Sequence, residues 1–291
     1  MPSPIMSQRC GSVYAEARHT LARRARDSAH LYSVVETAFG TRAIIGEVRC
    51  PAIAAPELAA AIEVAFGELA RHEPQLAGLA RRLNAFVADQ TGRRAPVSGF
   101  PAAPGTSSAD QTGEPDAGSA EASLSGAGFA ASPPGSVAAS LVQVGPLGET
   151  ADFLVFGHTV PLVMRADGVR PAPILDVDPL LGLWPPVADR CSPTGVDLHV
   201  GDALLLYTRG VTETRDAQGQ RYPIERRAAA LRGEPPQVLL ARLESELLAH
   251  GGDQADTELT LLLLRAEEPG FFGYTLNTAA PERTGRRSPR R

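Results

Sequence analysis

Residues 258–265 read ELTLLLLR, and this run restricts the fold more than any other feature of the sequence. It is strand-length and almost continuously apolar, so it leaves no face for water and belongs at the centre of a sheet. DALLLYT, residues 202–208, is a second strand of similar character. Strands of this kind need apolar cover on both sides.

The remaining sequence can supply that cover. LYSVVETAFGTRAIIGEV, Leu31 to Val48, reads as two β-branched arms joined at Ala38-Phe39-Gly40, a hairpin. SVAASLVQV, ADFLVFG and TVPLVMRADG read as a meander whose last strand closes on Asp167-Gly168. Pro56 stands in the first turn of a helix that runs through ELAAAIEVAFGELARH, and PQLAGLARRLNAFVAD restarts the helical pattern after the break at Glu73-Pro74. A third helix, PPQVLLARLESELLAH, stops at Gly251-Gly252. The class that follows is α+β: two packed β-sheets, a β-sandwich, flanked by helices.

With 291 residues and 43% hydrophobic content the chain can bury a real core. It divides into a flexible N-terminus (1–12), one domain (13–268) interrupted by a Gly/Ala/Ser/Pro-rich disordered insertion (90–135), and a flexible basic tail (269–291). A net charge of -5 argues against a nucleic-acid-binding face. The apolar runs are too short to span a bilayer, and MPSPIMSQRC lacks the apolar core of a signal peptide, so the expected location is the cytoplasm, with no membrane partner. Cys10, Cys50 and Cys191 fit a reducing compartment and, by their spacing, suggest no zinc site.

Three segments in the second half carry recognisable motifs: FGHTVPLVMRADG, PLLGLWP and LHVGDALLLYTRGVTETRDAQGQRYPIER. In the first half, LYSVVETAFGTRAIIGEVR carries a Gly46-Glu47-Val48 at the end of its second arm. In this order they resemble the SpoIIE-like branch of the metal-dependent protein serine/threonine phosphatases, the PPM or type-2C superfamily. The resemblance implies a β-sandwich flanked by helices. In active members it also implies hydrolysis of phosphoserine or phosphothreonine by a metal-activated water. Two hard cations, manganese or magnesium, then require several carboxylate oxygens converging at one edge of the sandwich.

On this alignment His30 stands where the family has an aspartate, with Ser28 and Ala29 in place of glycines. Glu47 stands at the principal bridging aspartate, and Cys50 and Ala52 replace glycines that follow it. Arg209 occupies the aspartate of the family's Asp-Gly, where a guanidinium offers only donors and repels a cation. Thr257 and Glu258 align with a paired Asp-Asp; a slip of one residue brings in Asp256. His158 falls in a segment that the resemblance makes a structural turn, and neither Ser136 nor Ser140 lies in a Gly-x-Ser-x-Gly elbow.

The expectation is therefore a pseudophosphatase that needs no cofactor. It would bind a protein partner in a phosphorylation-controlled circuit, such as a phosphorylated anti-sigma-factor antagonist. Arg209 and Glu47 would pair in the emptied site, or Arg209 would contact a phosphate. The alternative is an active phosphatase holding manganese or magnesium through Glu47, Asp256 and Glu258, with His30 in an altered shell. A pure assembly scaffold is the third reading.

Overall fold

A computed structural model describes residues 5–21, 28–49, 55–92, 135–174, 177–183, 191–252 and 258–268. The strands are β1 (Ile5–Cys10), β2 (Val13–Thr20), β3 (Ser28–Thr37), β4 (Gly40–Arg49), β5 (Ser136–Val144), β6 (Thr150–Phe156), β7 (Leu162–Arg165), β8 (Gly168–Pro171), β9 (Thr194–Asp197), β10 (Ala203–Tyr207) and β11 (Leu259–Ala266). The helices are α1 (Ala55–His72), α2 (Leu76–Gln90), the short α3 (Arg209–Glu213), α4 (Ile224–Ala230) and α5 (Pro236–Gly251).

Two antiparallel sheets result. One has six strands in the order β1-β2-β11-β10-β7-β8, the other five in the order β3-β4-β5-β6-β9. Period-two alternation in each strand divides its side chains between two layers. Leu204, Leu206, Leu262 and Leu264 meet Ala43, Ile45, Val142 and Phe153 between the sheets. Leu205, Leu261 and Leu263 point the other way, into a layer with Leu240, Leu243 and Leu247 of α5. The leucine run of β11 is thus explained: every second side chain serves a different core. Burying one such leucine contributes about 1.5–3 kcal/mol relative to leaving it in water. On the outer face of the five-stranded sheet, Leu31, Ile44, Leu141 and Leu154 pack against Ile62, Phe66, Leu79 and Leu83 of α1 and α2.

The helix pair is also fixed by a cation. Arg42, near the start of β4, is fully buried, and its guanidinium donates to Gln143 Oε1 (2.8 Å) and to the carbonyls of Ala70 (2.8 Å) and Pro74 (2.7 Å). These last carbonyls belong to the end of α1 and the link to α2, so Arg42 satisfies acceptors that a helix terminus leaves without intrahelical donors.

Two expectations need correction. Residues 5–10, expected to be flexible, form β1, which pairs with β2 from Ile5↔Arg18 to Cys10↔Val13. The meander also breaks after its second strand. β5 and β6 pair with each other, but β7 joins β10 in the opposite sheet, because the chain crosses the sandwich through residues 157–161. The expected hairpin of β3 and β4, the α1–α2 pair and the central position of β11 are all present. The core of the expected insertion (93–134) and the tail (269–291) lie outside the described residues. Among the described residues no helix is long and apolar enough to cross a membrane.

Candidate functional site

The β3–β4 register sets His30 directly opposite Glu47 on the five-stranded sheet. The β2–β11 register sets His19 opposite Thr260 on the six-stranded sheet. Thr208 follows β10 and exchanges hydrogen bonds with Thr260: the Thr260 N–H donates to Thr208 Oγ1 (3.0 Å), and the Thr208 N–H donates to the Thr260 carbonyl (3.1 Å). This extension of the ladder delivers Arg209 to the same end of the sandwich, as the first residue of α3.

Four of the expected positions meet there. The backbone N–H of Arg209 donates to Glu47 Oε1 at 2.5 Å. Its guanidinium Nε lies 3.9 Å from Glu213 Oε1, one turn further along. Arg209 and Glu47 therefore meet, through a peptide hydrogen bond, and the guanidinium charge also acts on the carboxyl. The His30 N–H donates to Glu258 Oε1 at 3.3 Å. Cys50, Ala52, Asp256 and Thr257 lie outside the described residues.

Electrostatics separate the two carboxylates. Burial pushes Glu47 up to about 7; the Arg209 hydrogen bond and charge oppose that rise, while Glu213 and Glu258 add to it. For Glu258, burial is likewise the largest influence, but the hydrogen bond from His19 and the charges of His30 and His19 outweigh it and leave the carboxyl below its ordinary value. Burial lowers His30 to about 4, against the pull of Glu258 and with the help of His19.

His19 was not among the expected site residues. Its ring Nε2 is 3.2 Å from Glu258 Oε1, and its Nδ1 is 2.8 Å from Thr260 Oγ1. The same Thr260 oxygen is 2.8 Å from His30 Nδ1. One hydroxyl thus links two imidazoles, whose rings meet edge to face at 5.8 Å between centroids. The alternation in VYAEARHT was the available signal: it puts Val13, Ala15 and Ala17 in the core, as one buried face of a strand.

His158 lies nearby, on the segment that crosses between the sheets. Ser140 Oγ donates to the Thr159 carbonyl (3.1 Å) and stands 2.9 Å from His158 Nδ1, so that nitrogen carries the proton. Its Nε2 is sealed from solvent and has no partner among the described residues. Burial holds His158 down at about 3, helped by the charges of His30 and Arg209. Thr159 Oγ1 in turn donates to the Tyr207 carbonyl, which fastens the crossover to the end of β10.

Two antiparallel sheets with helices outside them, and a polar cluster where strands from both sheets end, define the architecture of the PPM or type-2C protein phosphatases. The RsbU and RsbW domains of a Mycobacterium tuberculosis protein superpose with a TM-score of 0.63 at 16% identity, covering 89% of this chain and 61% of that one. The PP2C phosphatase domain and regulatory fragment of SpoIIE from Bacillus subtilis give 0.59 at 14%, covering 90% and 65%. The serine/threonine phosphatase PstP of Mycobacterium tuberculosis gives 0.52 at 14%, covering 88% and 99%. The chain thus spans less than two thirds of the first two of these structures. A comparison with curated proteins returns no match. The chain belongs to the SpoIIE family: the profile described as Stage II sporulation protein E matches residues 38–267.

Proposed function

We propose that this chain is a pseudophosphatase, a SpoIIE-family domain that acts by binding a protein partner in a phosphorylation-controlled circuit. The observation that carries the reading is the Arg209 N–H on Glu47 Oε1. The carboxylate aligned with the family's bridging aspartate is engaged by a peptide donor, and the residue supplying it bears a fixed positive charge. Two hard cations need several free carboxylate oxygens. The donor set among the described residues does not fit a pair of them. Its two buried acids, Glu47 and Glu258, both accept protein hydrogen bonds, and His30 brings no negative charge.

The partner that suits such a site is a phosphorylated regulatory protein of the anti-sigma-factor-antagonist type, with Arg209 as a donor to its phosphate. Equal binding of phosphorylated and plain partner by both wild type and Arg209→Ala would remove that role for Arg209.

The convergence of Glu47 and Glu258 favours a second reading, an active phosphatase with an altered manganese or magnesium shell. Hydrolysis of an aryl phosphate in millimolar manganese decides between the two. Silence of the wild type, with manganese-dependent turnover in an Arg209→Asp, Glu47→Asp double variant, supports the pseudophosphatase. Turnover by wild type that a chelator abolishes establishes the second reading.

A further inference from the structure

We propose that His19, His30 and Glu258 form a binding site for one zinc-class divalent cation. One ligand atom from each residue lies within 4.8 Å of the other two. His19 Nε2 and Glu258 Oε1 are 3.2 Å apart, close to the separation of roughly 3.3–3.4 Å that two ligands of a tetrahedral cation have at zinc bond lengths. Two imidazoles and one carboxylate suit borderline cations such as zinc or cobalt, whereas magnesium and manganese prefer oxygen. The spacing of the cysteines gave no hint of such a site; the histidines provide it.

Thr260 is a second, independent observation. Its Oγ1 lies 2.8 Å from Nδ1 of both rings, so one hydroxyl orients both. Without a metal, His19 Nε2 hydrogen-bonds Glu258; with the proton on Nδ1 and donated to Thr260, Nε2 has its lone pair for a cation. Hydrogen bonds of this kind behind a ligating histidine fix the tautomer and ring direction of metal sites. Three protein ligands leave one tetrahedral position for solvent. Both histidines precede residues 38–267, the segment matched by the SpoIIE profile. Glu258 lies within that segment, and His30 and Glu258 stand at two of the aligned metal positions; His19 aligns with none of them, and a single cation held by two imidazoles differs from a pair of hard cations in an oxygen shell, so the site stands whether or not the pseudophosphatase reading does.

The full chain, stripped with a chelator, is titrated calorimetrically with zinc chloride and, separately, with manganese chloride. One equivalent of zinc binds at micromolar concentration or below, with manganese weaker by roughly 100-fold. His19→Gln and His30→Gln abolish the binding at that concentration, and Thr260→Val weakens it by about 10–100-fold. Cobalt(II) added to the wild type gives the intense visible absorption of a tetrahedral site, a readout that needs no variant to fold. Absence of zinc binding overturns the proposal, as does unchanged affinity in folded His19→Gln or only the faint cobalt spectrum of an octahedral site. The zinc-loaded protein is also assayed on aryl phosphate. Turnover there would overturn the pseudophosphatase reading and leave the zinc site standing; failure to bind zinc would do the reverse.

Discussion

The Arg209 peptide nitrogen lies 2.5 Å from Glu47 Oε1, joining the short helix that follows β10 to β4 of the opposite sheet. Glu47 is only 6% exposed, and burial raises its pKa to about 7. A carboxyl raised in this way leaves stability intact below the ordinary carboxylate range and weakens the fold as pH rises through about 7. Glu47→Gln keeps an acceptor for the Arg209 N–H and removes the charge. Denaturant midpoints should show the variant gaining on wild type between pH 4.5 and 8, by on the order of 3 kcal/mol at the upper end. Parallel curves would mean that Glu47 is neutralised by other means.

His158 works in the opposite direction. Its imidazole is held neutral at about 3, so its contribution is complete above the ordinary histidine value and is lost as pH falls toward 3. The wild type should lose up to ~1.4 kcal/mol per pH unit over that window relative to His158→Gln. Unfolding curves at stepwise lower pH measure the slope directly.

Gly46 precedes Glu47 in β4, and a Cβ there would lie 2.5 Å from the Ala138 carbonyl on β5. Gly46→Ala should destabilise by about 1–3 kcal/mol as β4 and β5 are pushed apart. Because β4 carries Glu47, the variant should also lose the gain of turnover expected of the Arg209→Asp, Glu47→Asp pair. An unchanged thermal midpoint would show that the sheet yields more easily than its backbone contacts imply.

Arg42→Met would leave the Ala70 and Pro74 carbonyls and Gln143 Oε1 without their buried donor. The loss should be at least ~3 kcal/mol, summed over several unpaired acceptors. Arg42→Lys should recover only part of it, because an ammonium cannot reproduce the planar fork. The denaturant midpoints of the two variants check both statements.

Much of this was legible in the sequence because it is local. The five leucines of β11, the turn at Ala38-Phe39 and the 3.6-residue spacing of Ile62 and Phe66 each carry their own signal. The parts that were not legible depend on partners distant in the chain. Periodicity identified the strand around Leu162 but not its sheet, since that is set by pairing with Leu205. His19 carries no local signal of a site; the β2–β11 register sets it opposite Thr260. Nothing local marks Arg42 as buried; the carbonyls that end α1 draw it in and leave it fully buried. At the candidate site, alignment identified His30, Glu47, Arg209 and Glu258. It could not show that the peptide group of Arg209 would donate to Glu47.

β2 pairs with β11 along its whole length, although β3 through β10 intervene in the chain. During synthesis β2 leaves the ribosome long before its partner exists, and its buried face must wait without a sheet to join. Closing so distant a pair is entropically slow. The waiting hairpin of β1 and β2 presents an unpaired edge that another nascent chain can take as a template. The last strand to be made thus completes the sheet that the first hairpin begins, so β2 keeps an open edge until synthesis is nearly over.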